Sequence, residues 1–360
     1  MTRAPRVDNV FDDVEVRPLN CAVVGLGYWG PNLVRVLHEL PGTSLVAVHD
    51  TRSEAMAKIT DRYPRVRAVE WFEEILEDDD IDAVAIATPV STHHELAEAA
   101  LESGKHVFVE KPLAASTEQA ESLIDVANRQ QRVLMPGHTF LYSPPVTLGR
   151  KLIRSGELGD IYFITTSRVN LGLHQRDASV VWDLGPHDFS ILLYWLEELP
   201  VRISALSRGC IVPETPDVAF IDLEFASGTI AHVELSWLAP SKLRRTAIVG
   251  SRKMVVYDDT SSEPIRIFDS GADLRDPETF GEFRLTYRTG DIVSPRVEVA
   301  EPLQLELADF RDAIGTGIEP RSTMQLGLDV VRIIEAVDRS LQEGGASVAV
   351  DRSFSADLTP

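Results

Sequence analysis

The segment CAVVGLGYWG, residues 21–30, decides the fold of this chain. It places an apolar strand directly before the pattern Gly-x-Gly-x-x-Gly. Gly25 makes the tight turn, Gly27 lets the backbone approach a pyrophosphate, and Gly30 lets the following helix pack closely on the strand. The pyrophosphate then lies at a helix N-terminus, where unpaired N–H groups and the helix dipole favour anions. The segment therefore predicts a dinucleotide-binding site.

A second apolar run, residues 45–49, ends at Asp50, 20 residues after Gly30. A carboxylate at this position accepts hydrogen bonds from the adenosine ribose and repels a 2′-phosphate, which favours NAD over NADP. Arg52 lies two residues further on, and a guanidinium there would instead pair with a 2′-phosphate. NAD is therefore the predicted cofactor, and NADP is the alternative.

The length and composition of the chain limit the classes of protein to which it can belong. A chain of 360 residues exceeds the usual size of one hydrophobic core, so two domains are expected. Its net charge of −21 argues against a nucleic-acid partner, because non-specific affinity for phosphate backbones comes from Lys and Arg. The two cysteines, Cys21 and Cys210, form neither a disulfide framework nor a metal cluster, so we predict packed thiols and no metal.

The N-terminal 18 residues carry Asp and Glu and lack the apolar core of a signal peptide. No later stretch has the apolar length of a membrane span. These features predict a cytoplasmic protein without a membrane partner.

The pattern of apolar residues changes once along the chain. From Leu19 to about Pro136, strand-like runs alternate with amphipathic helices, which is typical of a parallel sheet covered on both faces. After Gly137, period-two alternation predicts antiparallel hairpins. We therefore predict an α/β fold with a polar N-terminal extension (1–18), a doubly wound Rossmann domain (19–136), a substrate-binding and oligomerisation domain (137–345) and a C-terminal tail (346–360).

An apolar run at residues 107–109 ends in Glu110-Lys111-Pro112, at the carboxyl edge of the predicted sheet where open α/β folds bind ligands. Pro112 excludes helical backbone at Lys111 and makes their peptide bond a candidate for cis geometry. A dry site would lower the pKa of Lys111 and let it donate to, or exchange a proton with, a substrate hydroxyl. The alternative is a solvated lysine in a loop.

The segment WDLGPHD, residues 182–188, precedes an apolar helix predicted over 189–196, with Pro186 in its first turn. Asp183 and His187 are four residues apart and share a face if both lie near the helix start. Asp183 would then orient the imidazole, and His187 would act as general acid or base. A helix N-terminus and a carboxylate shift the pKa of His187 in opposite directions, so the sign of the net pKa shift stays open. Asp183 is equally compatible with a simple helix cap.

These motifs resemble the Gfo/Idh/MocA oxidoreductases over nearly the whole chain. The resemblance rests on residues 25–32, Ala87-Thr88-Pro89 with His93, Glu110-Lys111-Pro112, residues 137–140, and Asp183 with His187. It implies a C-terminal α/β domain with a large open antiparallel sheet, and a homodimer or homotetramer. It also implies that Lys111, Asp183 and His187 form the catalytic set.

The resemblance further implies hydride transfer from a secondary carbinol of a sugar or cyclitol to nicotinamide. His187 would take the hydroxyl proton, and Lys111 would hydrogen-bond the same oxygen. The nearest activity is oxidation of the C3 hydroxyl of a nucleotide-linked amino sugar or uronate. The alternatives are an inositol or aminocyclitol dehydrogenase, a ketosugar reductase, and a non-catalytic dinucleotide-binding sugar sensor.

The predicted site residues form two overlapping sets. The cofactor set is Gly25, Gly27, Tyr28, Trp29, Gly30, Asp50, Arg52, Thr88, Pro89, His93, Glu110 and Lys111. The substrate set is Trp29, Lys111, His138, Arg168, Asn170, Arg176, Asp183 and His187. Arg168 and Arg176 lie in a polar segment that would suit a nucleotide diphosphate, and the alternative is a surface loop.

Overall fold

The computed structural model describes residues 17–172, 178–274 and 285–351. The first half of the chain forms a parallel sheet of six strands within the described residues. These strands are β1 (Leu19–Val24), β2 (Thr43–His49), β3 (Arg67–Ala68), β4 (Ala83–Ile86), β5 (His106–Glu110) and β6 (Leu134–Gly137). They are arranged in the order β3-β2-β1-β4-β5-β6, so the strand order reverses between β1 and β4. This reversal marks the crevice where such sheets bind ligands.

Helices connect these strands. They are α1 (Gly30–Glu39), α2 (Ser53–Arg62), α3 (Glu73–Leu76), α4 (His93–Glu102) and α5 (Thr117–Gln130). The side chains of β4 are fully buried, as expected for a parallel strand covered on both faces. The predicted Rossmann arrangement is therefore confirmed, and the short edge strand β3 is an addition to it.

The second half of the chain forms another sheet. Its strands are β7 (Ile161–Leu171), β8 (Arg202–Arg208), β9 (Val218–Glu224), β10 (Ile230–Ser236), β11 (Leu238–Gly250), β12 (Met254–Asp258), β13 (Ile265–Leu274), β14 (Leu285–Val293) and β15 (Val348–Ala349). The order is β14-β13-β12-β11-β7-β10-β9-β8-β15, with β7 and β10 parallel and the other pairs antiparallel. The predicted large antiparallel sheet is present, with one parallel pair at its centre.

Four helices accompany the second sheet in the described residues. They are α6 (Pro144–Arg154), α7 (Val180–Leu196), α8 (Pro302–Thr316) and α9 (Met324–Gln342). The prediction for α7 was wrong at its start, because the helix begins nine residues before Phe189 and contains Pro186 in its interior. None of the helices in the described ranges is long and apolar enough to cross a membrane.

The helix α9 joins the two halves of the molecule. It packs against α5 and β6 of the first half and against α7 and β8 of the second. Gly327 of α9 approaches β6 so closely that a Cβ atom there would lie 2.9 Å from Pro136 Cγ. Beyond the carboxyl ends of β5 and β6, Lys111 contacts Asp183 of α7 and Thr139 contacts Glu306 of α8.

Candidate dinucleotide-binding and active site

The glycine-rich turn after β1 has the geometry that its spacing predicts. Gly25 has φ +90°, and a Cβ at Gly30 would lie 2.1 Å from the carbonyl oxygen of Gly25. A Cβ at Gly27 would meet no heavy atom of the described residues within 4 Å. The first and third glycines therefore serve close packing, while the second leaves open space for a phosphate. No acidic side chain lies in the first turn of α1, and Tyr28 beside the turn is 82% exposed.

Asp50 follows β2 and ties it to the glycine-rich turn. Its Oδ2 accepts a hydrogen bond from the Leu26 N–H over 2.7 Å, and its Oδ1 accepts from Arg52 N and Arg52 Nε over 2.8 and 2.9 Å. The Arg52 side chain thereby lowers the pKa of the buried Asp50 carboxyl to about 2. Asp50 is ionised at neutral pH, and the Arg52 side chain is hydrogen-bonded to its carboxylate.

His93 lies under the segment that follows β4. Its Nε2 is 2.9 Å from the carbonyl oxygen of Thr88, and its Nδ1 is 2.9 Å from that of Pro112. Burial lowers the pKa of His93, and a neutral imidazole donates from one nitrogen at a time. His93 thus bridges the loops after β4 and β5, and Pro89 starts a short 3-10 helix above it. Its contacts are with the protein backbone, so we interpret it as a support of the cofactor loops.

Lys111 lies between the two halves of the molecule. Its peptide bond to Pro112 is cis. The Lys111 Nζ donates to the main-chain oxygen of Asp183 over 2.6 Å and lies 3.4 Å from Asp183 Oδ1. Asp183 Oδ2 accepts from Trp237 Nε1 over 3.0 Å. Asp183 therefore positions Lys111.

His187 lies one turn after Asp183 in α7, beside Pro186. Its Nδ1 is buried and has no hydrogen-bond partner among the described residues, so Asp183 does not hold the imidazole as predicted. The ring packs edge-on against Phe140, with centroids 4.9 Å apart. Burial, followed by the positive charge of Lys111, lowers the pKa of His187 well below its ordinary value. The same burial and positive charges disfavour the imidazolium, so the imidazole is neutral at neutral pH.

His138 follows β6 and is buried beside this pair. Neither of its ring nitrogens has a partner within the part of the chain that the structure describes. Burial lowers the pKa of His138 to about 3, with a smaller contribution from Lys111. Buried polar groups are usually hydrogen-bonded, so the lack of a partner distinguishes His138 from an ordinary core histidine, and its contact with substrate stays a prediction.

Arg168 was predicted to lie in a polar segment that binds substrate, and among the predicted substrate residues its surroundings differ most from that expectation. It is buried on β7 and forms an ion pair with Asp188 of α7, which also accepts from Thr166 Oγ1 over 2.6 Å. Its guanidinium stacks 4.5 Å from the centre of the Phe140 ring. Arg168 is therefore held by protein groups and adds positive charge near His187. Asn170 Oδ1 is buried without a partner among the described residues, and Arg176 lies outside them.

Two ionisable residues near this site escaped the sequence analysis. Arg244 of β11 pairs with Arg168 across the sheet and lowers the pKa of His187. Glu306 of α8 is fully buried and accepts from Thr139 Oγ1 over 2.7 Å. Neither residue has a local motif, because each reaches the site from a distant part of the chain.

Comparison with known proteins agrees with this geometry. Residues 19–138 match the model of an oxidoreductase family with an NAD-binding Rossmann fold, and residues 147–256 match the GFO/IDH/MocA C-terminal domain. The scyllo-inositol 2-dehydrogenase (NAD(+)) of Bacillus subtilis (strain 168) is 31% identical over 242 residues, which are 62% of this chain and 68% of that protein. The chain belongs to the GFO/IDH/MocA oxidoreductase family.

Two further comparisons give a sequence relative and a similar fold. The UDP-N-acetylglucosamine 3-dehydrogenase of Acidithiobacillus ferrooxidans is 26% identical over 255 residues, 71% of this chain and 78% of that protein. The structure of GenD2 from gentamicin A biosynthesis, in complex with NAD, has a TM-score of 0.80 at 23% identity and covers 97% of this chain and all of that one. The chain is thus an oxidoreductase with an NAD-binding Rossmann domain.

Proposed function

We propose that this protein is an NAD-dependent dehydrogenase that oxidises a secondary hydroxyl of a sugar or cyclitol. One observation carries the proposal: Lys111, a lysine held by a backbone oxygen, and the neutral imidazole of His187 meet beside the carboxyl edge of the cofactor-binding sheet. A cationic donor and a neutral base are the two groups that removal of a hydroxyl proton requires.

The roles of the protein groups follow from their charges. The His187 imidazole takes the hydroxyl proton, and Lys111 donates a hydrogen bond to the same oxygen as negative charge develops on it. Asp183 holds Lys111 through its main-chain oxygen. Bound NAD supplies the hydride acceptor for the carbinol hydrogen. The reverse reaction would reduce a ketone.

The choice of cofactor depends on Asp50. Its carboxylate is ionised at neutral pH and would repel the 2′-phosphate of NADP while accepting from the ribose hydroxyls of NAD. Arg52 neutralises part of this charge, so its removal should sharpen the preference for NAD.

Two substrate classes are supported by different relatives. The 31% identical relative is named for scyllo-inositol, and the 26% identical relative is named for the C3 position of a UDP-linked amino sugar. A nucleotide diphosphate needs cations; Arg168 is paired with Asp188, while Arg168 Nη1 and Arg244 Nε are buried without a partner among the described residues. We place a free cyclitol or sugar first, after the relative of higher identity, and the C3 hydroxyl of a nucleotide-linked amino sugar or uronate second.

The test is reduction of NAD or NADP, followed by absorbance, with inositols, free hexoses, and nucleotide-linked hexosamines and their uronates. Turnover with one class that is lost in Lys111→Ala would establish the cofactor and the substrate class together. Tight NAD binding without turnover of any alcohol or the matching ketone would instead favour a sugar sensor.

We also propose that the exposed face of the second sheet binds a second copy of the chain. Phe163 and Ile230 are exposed neighbours on β7 and β10, and Leu206 and Phe220 are exposed neighbours on β8 and β9; exposed apolar side chains grouped in this way mark interfaces. Light scattering should give a dimer or tetramer that Phe220→Glu dissociates. A wild-type monomer would exclude this interface.

A further inference from the structure

Two arginines of the second sheet lie beside the imidazole of His187. Arg168 of β7 and Arg244 of β11 are directly opposite each other in an antiparallel pair, so their side chains leave the same face of the sheet. Their Cζ atoms lie 4.5 and 5.8 Å from the centre of the Phe140 ring. The same ring packs against His187, with centroids 4.9 Å apart. A single aromatic ring therefore contacts both guanidinium groups and the proposed base.

Both guanidinium groups have unused hydrogen-bond donors. Each carries five N–H donors. Arg168 donates from Nε and Nη2 to Asp188, and its Nη1 is buried without a partner among the described residues. Arg244 donates from Nη1 to Asp259 over 3.2 Å, and its Nε is buried without a partner in the same ranges. These donors are exceptions to the rule that buried polar groups are hydrogen-bonded.

The two ion pairs differ in their access to a ligand. The side chains of Arg168 and Asp188 are 4% and 3% exposed, so this pair belongs to the packed interior. Those of Arg244 and Asp259 are 28% and 30% exposed. An ion pair that is open to solvent contributes little, so a ligand anion can share or replace Asp259 at Arg244. Arg244 is therefore the cation that a ligand reaches, and Arg168 adds a fixed positive charge beside it.

The charges around His187 favour an anionic ligand. The net charge of −21 repels anions from the protein as a whole, so an anionic substrate requires local cations. Burial lowers the pKa of His187, and the positive charges of Lys111, Arg168 and Arg244 lower it further. A negative charge on the substrate would offset part of this effect and favour the imidazolium that forms when His187 takes a proton.

We propose that the substrate carries a carboxylate that binds Arg244, while its reacting hydroxyl lies against Lys111 and His187. A guanidinium group matches a carboxylate in geometry as well as in charge. A pyranose ring is about as large as the Phe140 ring that lies between Arg244 and His187, so one acidic sugar spans both groups. The inference rests on the proposed function and narrows its substrate class to acidic sugars such as uronates, because an unmodified cyclitol lacks the carboxylate.

The first test compares sugars that differ only at C6. Calorimetry at neutral pH, with the full chain loaded with NADH, measures binding without turnover, because NADH cannot accept a hydride. The pairs are glucose with glucuronate, galactose with galacturonate, and UDP-N-acetylglucosamine with its uronate. At least one uronate should bind about tenfold more tightly than its neutral partner. The proposal is overturned if no uronate binds more tightly than its partner.

The second test assigns the preference to Arg244. Arg244→Met should reduce the preferred uronate to within about twofold of the neutral sugar, while affinity for the neutral sugar stays the same. Arg245→Met removes the same charge from the exposed, opposite face of β11 and should keep the preference. Arg244→Lys keeps the charge without the planar fork and should keep part of the preference, which separates loss of the contact from loss of folding. A full preference in Arg244→Met would overturn the assignment.

Failure of this inference and failure of the proposed function give different results. A uronate that binds through Arg244 but does not reduce NAD would leave the carboxylate site in place and count against the dehydrogenase. Equal turnover of a uronate and its neutral partner, lost in Lys111→Ala, would support the dehydrogenase and overturn the carboxylate site.

Discussion

Lys111 donates to the main-chain oxygen of Asp183 over 2.6 Å, whereas the Asp183 carboxylate oxygen is 3.4 Å away. A main-chain oxygen does not titrate, so acid does not remove the acceptor of this hydrogen bond while α7 is folded. The Asp183 side chain is correspondingly free to accept from Trp237. The lysine that we propose to act on the substrate is thus positioned by a helix backbone.

Replacement of Lys111 by Met should lower kcat by about 10²–10⁴-fold and leave NAD affinity within a few-fold, because the cation acts on the reacting oxygen. Lys105 provides a matched control, since its Nζ also donates to one main-chain oxygen, that of Asp78, over 2.6 Å. Lys105→Met should lose stability but keep kcat. Stopped-flow absorbance of the reduced nicotinamide measures kcat for both variants. Equal losses of kcat in the two variants would argue against a role for Lys111 in chemistry.

The two glycines Gly27 and Gly30 should respond to alanine in opposite ways. Gly30→Ala places a Cβ 2.1 Å from the Gly25 oxygen, so we expect a lower Tm and poor folding. Gly27→Ala meets open space within the described chain, so Tm should stay at the wild-type value while NAD affinity falls at least about tenfold. Thermal unfolding and NAD titration by calorimetry separate the two effects. Unchanged NAD affinity in Gly27→Ala would show that the phosphates do not approach this turn.

Arg168→Met should destabilise the fold by about 3–5 kcal/mol, because it leaves the buried Asp188 carboxylate without its cation. The double variant Arg168→Met/Asp188→Asn should recover part of this loss in urea unfolding. If Arg168 instead contacts a ligand, Arg168→Met should unfold at the same urea concentration as the wild type. It should then raise KM only for a nucleotide sugar.

Asp50 should contribute an acid-sensitive component of stability. Its folded-state pKa of about 2 lies below the ordinary value of 3.8, so its contribution is fully present above about pH 4 and is lost as the pH falls through 2. The Tm difference between wild type and Asp50→Asn should therefore shrink over this window. Arg52→Met removes the main cause of the lowered pKa and should move the window upward. A Tm difference that is constant down to pH 2 would contradict the assigned hydrogen bonds.

The first half of the fold is predictable from the chain because its signals are local. Gly25, Gly30 and Asp50 lie next to the strands that position them, and the spacing alone carries the geometry. The hairpin of β9 and β10 is similarly local, since Gly228 with φ +88° lies in the turn between them. The turn at Gly25, the close packing at Gly30 and the hairpin are present in the structure, while the contact of Asp50 with a cofactor stays a prediction.

The errors arose where long-range packing determines the structure. Pro186 is expected in a first turn because it lacks an N–H, yet α7 continues through it, buried between the second sheet and α9. Within this helix the Asp183 carboxylate contacts Lys111 and Trp237, while His187 Nδ1 has no hydrogen-bond partner among the described residues. Glu306 could not be recognised at all, since nothing in residues 302–316 distinguishes a buried glutamate from a solvated one.

The position of α9 changes what counts as a separable piece of this protein. Its residues follow the second sheet in sequence, yet Gly327 and Leu328 complete the wall beside β6 and the packing around α5. A shortened chain ending at residue 138 would carry the whole glycine-rich turn and still expose the apolar strip that α9 covers. We therefore expect the nucleotide-binding half to lose stability when α9 is removed, although α9 follows the second sheet in the sequence.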